Sequence, residues 1–308
     1  MRSLIEFCKG SSLSIKEYIN EQLNIYEGGN AVTANPIPAF ITPLIYQDIE
    51  ESIKKYNNKI KIVPLGSIGK KKDDDFNGDL DVAIDITDRD QLVSMLEEIW
   101  PDNEINKFVT PSIVSMSYPY NKEGKSGNAQ VDFMMTKNID WAKFRYSSPD
   151  LKNGESKYKA AAKVLLMRCI IAAIPVKDAK DEYFEDGTTV KKKWKYTFNT
   201  EGVFKQLLDY TGKKGPLKNP KRPKEFQELV TNDPENVMKF AFGDKADIKD
   251  FNSVEALWKA LHTKWQYSKE ALGNAEKSFY EDYIFDKNPE VKMDPKDFPC
   301  EIYKPEEI

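Results

Sequence analysis

Apolar positions in the first half of the chain switch between helical and strand periods. Leu13, Ile15, Tyr18, Ile19 and Leu23 predict a helix over 13–25, and Leu44, Ile45, Ile49 and Ile53 predict a second over 43–57. Between them Gly28-Gly29-Asn30 and Asn35-Pro36-Ile37-Pro38 read as loop. Lys59-Ile60-Lys61-Ile62-Val63 alternates and predicts a strand running into a Gly66-Ser67 turn, with the next strand over Leu80 to Ile86. Asp88 is placed to cap a helix from Gln91 to Trp100, whose Leu92, Met95, Leu96 and Ile99 form one face. Two further strands are expected near 108–118 and 128–136, joined by an Asn121–Asn128 loop rich in Lys, Gly and Asn.

Helix, strand, helix, strand, strand is the order of an α/β or α+β unit on a small mixed sheet, and we assign the α+β class. The character changes after Tyr146-Ser147-Ser148-Pro149-Asp150, which sets the expected domain boundary: 1–150, then 151–308. Residues 155–174 carry the strongest helical pattern, and the remainder reads as helical segments separated by Gly/Pro/Lys loops. Pro289, Pro295, Pro299 and Pro305 predict an extended C-terminal stretch wrapping the surface.

The 308 residues suffice for two cores, and 40% hydrophobic with 31% charged residues is an ordinary globular balance. No apolar run approaches the ~18 residues of a membrane helix, and Met1 to Cys8 lacks a signal-peptide pattern. Cys8, Cys169 and Cys300 form no C-x-x-C pair, and Cys169 lies in an apolar helical stretch as a buried thiol; a reducing cytoplasm is expected. A single histidine, His262, argues against imidazole-rich zinc sites and a Ser-His-Asp triad, and its amphipathic surroundings place it on a helix surface or end. Charge is uneven within the net −4: residues 1–150 hold 17 Lys+Arg against 23 Asp+Glu, whereas 187–224 hold 11 against 2.

The candidate chemistry lies in Leu65-Gly66-Ser67, Asp79-Leu80-Asp81-Val82 and Val131-Asp132-Phe133. Two acids one residue apart on a strand share a face, while Leu80 and Val82 point the other way. A third acid on a neighbouring strand completes a cluster that cations make tolerable. Phosphoryl and nucleotidyl transfer need in-line positioning and cations beside the attacking and leaving oxygens, and Asp-x-Asp suits two Mg²⁺ ions, with Mn²⁺ as a substitute. Asp79 and Asp81 are assigned to both metals, and Asp132 to the one that activates the incoming hydroxyl. Gly66 lets the backbone approach a phosphate, Ser67 offers a hydroxyl, and Lys70, Lys71 and Lys72 follow. Neither a Walker A loop nor G-x-G-x-x-G is present. The competing view makes these acids edge-strand groups facing water, yet a charge flanked by Val131 and Phe133 needs a partner. Asp73-Asp74-Asp75 read as solvated loop, and Asp85 lies too far along its strand to join.

These three motifs at these spacings resemble the DNA polymerase β-like nucleotidyltransferase superfamily over residues 42–136, with a helical extension to about 175. Leu-Gly-Ser-x-Gly-Lys-Lys beside Gly-Asp-Leu-Asp is also similar to nucleotidyltransferases of tailed bacteriophages, which would place the protein in a host-cell cytoplasm. The resemblance implies a nucleotidyltransferase fold and a mostly helical second domain clamping nucleotide and acceptor. It also implies transfer of NMP from an NTP, ATP or CTP, to an acceptor hydroxyl with release of pyrophosphate. The expected acceptor is an RNA 3′ end such as tRNA, with a small molecule or protein as alternatives, and no membrane partner. No Arg-Arg-Asp follows the carboxylates, a departure from the bacterial-type CCA-adding pattern. By analogy Lys159 or Lys163, four apart on the 155–174 helix, would supply a lysine to the triphosphate; otherwise the pair is a wet helix face.

Lys191-Lys192-Lys193-Trp194-Lys195-Tyr196 interleaves cations with aromatics, and the Lys213–Lys224 loop adds Lys221 and Arg222. Phosphates are drawn to such patches and Trp194 can stack a base, so a nucleic-acid strand is expected here. The bland alternative is solvated loops. A non-catalytic nucleic-acid-binding module using 187–224 is the other functional class.

Overall fold

The computed structural model describes residues 31–110, 112–187, 189–209, 227–284 and 293–305. The helix expected over 13–25, the Gly28-Gly29-Asn30 loop, Cys8, Pro289 and the Lys213–Lys224 loop with Lys221 and Arg222 lie outside them. The fold is mixed α+β, with three sheets and seven α-helices among the described residues. None of these helices is long and apolar enough to cross a membrane. The chain divides into two compact units, Met1–Ile139 and Asp140–Ile308.

In the first unit α1 (Thr42–Tyr56) starts with Pro43 in its first turn, where the missing N–H costs nothing. Ile45, Ile49 and Ile53, four residues apart, are fully buried along one stripe. Helix α2 (Arg89–Ile99) is capped as expected, the Asp88 side chain accepting the Gln91 N–H at 2.8 Å. Both helices share one core with Leu80, Val82, Val114, Met116, Val131 and Phe133 of the main sheet. Truncating a fully buried isoleucine such as Ile49 to alanine costs about 2–5 kcal/mol.

The strands are β1 (Ile37–Pro38), β2 (Ile62–Pro64), β3 (Phe76–Asn77), β4 (Leu80–Ile84), β5 (Ile105–Thr110), β6 (Ile113–Lys122) and β7 (Lys125–Met135). β1 and β3 form a two-stranded antiparallel ribbon. The main sheet has the order β2-β4-β7-β6-β5, with only β4 and β7 parallel. Three expectations change. The strand expected near 108–118 is divided between the end of β5 and the start of β6, which pair antiparallel. The strand from Lys59 starts only at Ile62, because the Asp85 side chain takes the Lys61 N–H at 2.8 Å. The Asn121–Asn128 loop is instead the tip of a long hairpin pairing Lys122 with Lys125. Glu123 (φ 49°) and Gly124 (φ 69°) are both left-handed, so the turn follows the twist of the strands it joins.

The second unit contains α3 (Ile139–Tyr146), α4 (Ala160–Ala173), α5 (Pro234–Phe242), α6 (Val254–Lys264) and α7 (Lys269–Phe279). It also holds a four-stranded antiparallel sheet where helices and loops were expected: β8 (Glu182–Tyr183), β9 (Val190–Phe198), β10 (Val203–Asp209) and β11 (Gln227–Thr231), in the order β11-β10-β9-β8. Lysines concealed the alternation in β9, whose Phe198 is buried beside Trp141 and Phe251. The C-terminal stretch does more than wrap the surface, since Phe298 is fully buried among Tyr158, Trp258 and Phe279.

Candidate metal centre

The sheet of the first unit has one helix-covered face and one polar face. Parallel pairing sets Asp81 opposite Asp132, so their side chains rise from the same polar face while Leu80 and Val131 turn into the core. Asp79 immediately precedes β4. One ligand atom from each of Asp79, Asp81 and Asp132 lies within 4.8 Å of the other two. The three aspartates expected to cluster are therefore together. Asp132 is buried, and the other two are half-buried.

Mutual repulsion and enclosure leave a mark on their acidity. Burial first, then Asp79 and Asp132, hold Asp81 well above the ordinary carboxylate range. Asp132 is pushed up to about 6, mainly by burial and further by Asp79, against hydrogen bonds from Ser115 and Gln130 that favour its charged form. The hydroxyl of Ser115 donates to Asp132 Oδ1, and Gln130 Nε2 donates to Oδ1 at 3.0 Å and Oδ2 at 3.2 Å. Both partners are neutral and leave the carboxylate charge to be offset by something else. Asn77, two residues before Asp79, is buried with neither end of its amide hydrogen-bonded.

Gly66 sits against this cluster. The Leu65 N–H donates to Asp81 O at 2.9 Å, and Gly66 then turns through φ +53°. A Cβ at Gly66 would stand 2.6 Å from Asp81 Oδ2, closer than any side chain tolerates. The turn continues with the Lys70 N–H donating to Ser67 O at 3.0 Å. Three hard carboxylate ligands around one point, with a left-handed glycine against Asp81, fit a divalent cation such as Mg²⁺ or Mn²⁺.

The remaining sequence-predicted residues belong to the second unit. Lys159 is the exposed N-cap residue of α4, in extended conformation, so it does not share a helical face with Lys163. Lys163 is buried rather than wet, its ammonium 3.4 Å from Phe144 O and 4.5 Å from the centre of the Phe251 ring. Lys191, Lys193 and Lys195 alternate along β9 with Lys192 and Trp194. Lys193 faces Asp181 at 3.6 Å, and the Lys205 ammonium stands 5.2 Å from the Trp194 ring. Burial, then Lys193, lowers the Lys195 pKa. Lys193, Trp194 and Lys195 line a cavity of about 520 Å³ together with Ala173, Asn274 and Ser278.

Ser115 and Gln130 were missed. Their signal was legible: Ser115 and Ser117 interrupt the apolar run Ile113-Val114-Ser115-Met116-Ser117, and Gln130 has the same strand parity as Asp132. His262 and Cys169 are structural. The histidine bonds Glu276 and Trp258 O, each at 2.9 Å, and the cysteine is buried, which raises its thiol pKa. The chain matches no known protein-family model, and no curated protein matches it significantly.

Proposed function

We propose that the protein is a Mg²⁺-dependent nucleotidyltransferase with a polymerase β-like first unit, transferring NMP from an NTP to an acceptor hydroxyl. One observation carries the reading: three aspartates from two strand regions converge within 4.8 Å beside a left-handed glycine. Asp79, Asp81 and Asp132 would hold the ions, and Gly66 and Ser67 the phosphates. Bound divalent cations supply charge neutralisation on the α-phosphate and the departing pyrophosphate. The acceptor oxygen bonds to the α-phosphorus as the bond to pyrophosphate breaks, and its proton passes to solvent water, while Asp132 would hold the ion beside it. The basic, aromatic strand β9 and its cavity support a nucleic-acid acceptor, with RNA first.

Incubating the protein with labelled NTPs, Mg²⁺ or Mn²⁺ and RNA, small-molecule or protein acceptors tests the reaction. Transfer that disappears in Asp79→Asn/Asp81→Asn supports the assignment, and transfer that persists in it refutes the assignment. Salt-sensitive RNA binding without metal dependence or transfer would favour the non-catalytic binding module instead.

A further inference from the structure

The polar row on this face extends beyond the acids. Asn106 stands opposite Ser115, Ser115 opposite Asp132, and Asp132 opposite Asp81, so four adjacent strands contribute one residue each. Gln130 projects from the same face two residues before Asp132. Its amide is held at both ends: Nε2 donates to Asp132, and Oε1 accepts the Ala31 N–H at 2.9 Å. A backbone N–H only donates, so the Gln130 oxygen must face Ala31 and its NH₂ must face the carboxylate. Ala31 is itself tied down. Asn106 Nδ2 donates to Ala31 O at 2.8 Å, and Ser117 Oγ donates to Thr33 O at 2.6 Å.

We infer that Gln130 is a positioning residue for Asp132, with its orientation set by the backbone of Ala31. The segment 31–33 thereby decides which carboxylate oxygen is presented to a cation. The inference rests on the metal-binding part of the function proposed above. Oδ1 receives both Ser115 and Gln130, filling its two lone pairs. Among the described residues Oδ2 receives only the longer Gln130 contact, which leaves it one further lone pair. Oδ2 is therefore the atom that would be presented to a cation. An inverted amide would aim Oε1 at the carboxylate, repelling it and freeing both oxygens to rotate. Among ligating carboxylates, loss of such an outer partner costs about 10–100-fold in metal affinity.

The test uses the full chain, with Mn²⁺ binding followed by electron paramagnetic resonance without nucleotide, and with crystal structures of the metal-free wild type and Gln130→Met. Gln130→Met keeps the side-chain volume and removes the donors. It should weaken Mn²⁺ at least tenfold and release the Asp132 side chain from its wild-type rotamer. Ala31→Pro, which deletes the N–H, should weaken Mn²⁺ in the same direction. An affinity within twofold of wild type in Gln130→Met, or an unmoved Asp132 in its crystal structure, overturns the inference. If the wild type binds no Mn²⁺, the metal reading fails, while the rotamer comparison still decides whether Gln130 holds Asp132.

Discussion

Asp81 and Asp132 face one another across the single parallel strand pair of the main sheet, between β4 and β7, with Gly66 pressed against the Asp81 carboxylate. Two enclosed like charges at that spacing oppose folding unless a cation or a proton intervenes.

Removing one of the charges should therefore separate stability from function. Asp81→Asn is expected to raise the melting temperature of the metal-free protein, by about 1 kcal/mol of stability, while abolishing Mg²⁺-dependent stabilisation and transfer. Thermal melts with and without millimolar Mg²⁺ check both halves. An Asp81→Asn protein that melts lower than wild type in chelator would show that the carboxylate is already compensated inside the fold.

Gly66→Ala probes the close approach. The left-handed backbone costs an alanine about 1–2 kcal/mol, and its Cβ must displace Asp81 Oδ2. Because Asp81 can yield by rotating, the larger loss should fall on Mn²⁺ affinity, at least tenfold. Isothermal titration with Mn²⁺, alongside a urea melt, compares the two losses. Unchanged Mn²⁺ binding would mean that Asp81 is not a ligand.

His262 and Glu276 predict a pH window for the second unit. Both ring nitrogens face acceptors, Trp258 O and Glu276 Oε1, so the imidazole must carry two protons to satisfy both. Burial lowers its pKa, but the Glu276 bond, Glu301 and Trp258 outweigh that, and the net shift is upward. For Glu276 burial raises the pKa, but the His262 bond and the backbone N–H groups of Tyr303, Glu301 and Ile302 outweigh it, and the net shift is downward. A raised histidine stabilises fully below its unfolded pKa and loses that contribution as pH rises through the folded value; a depressed glutamate loses its contribution as pH falls. Stability from the pair should peak between about pH 4.5 and 6.5 and decline as pH rises through the raised folded value of His262. His262→Gln should flatten the alkaline side of a plot of melting temperature against pH. Glu276→Gln, which places an amide among buried N–H donors, should cost about 3 kcal/mol.

The β6–β7 hairpin carries a correctable strain. Glu123 has positive φ, which asparagine adopts more readily. Glu123→Asn should add about 0.5–1 kcal/mol, read as a higher denaturant midpoint with an unchanged slope.

Local chemistry made much of the first unit legible. The Ile45, Ile49 and Ile53 stripe, the Asp88 cap and the alternation of Leu80, Asp81 and Val82 each express a short-range rule: helical period, side-chain-to-backbone hydrogen bonding, strand pleat. The Lys122–Lys125 hairpin was hidden because polar residues on a solvated strand resemble a loop, and only pairing with the partner strand separates them. Strand β9 was hidden for the same reason, its lysines masking the aromatic face that the core selects.

By itself the sequence singled out three aspartates, a glycine-serine turn and a basic stretch, and fixed the local backbone state of the turn and of the strand carrying Asp81. Tertiary structure alone decided that Asp132 pairs with Asp81 rather than with any other strand position, that Lys163 is buried, and that Gln130 links Ala31 to the acids. Register between distant strands is chosen by which faces bury together, a collective property of the core that no single segment encodes.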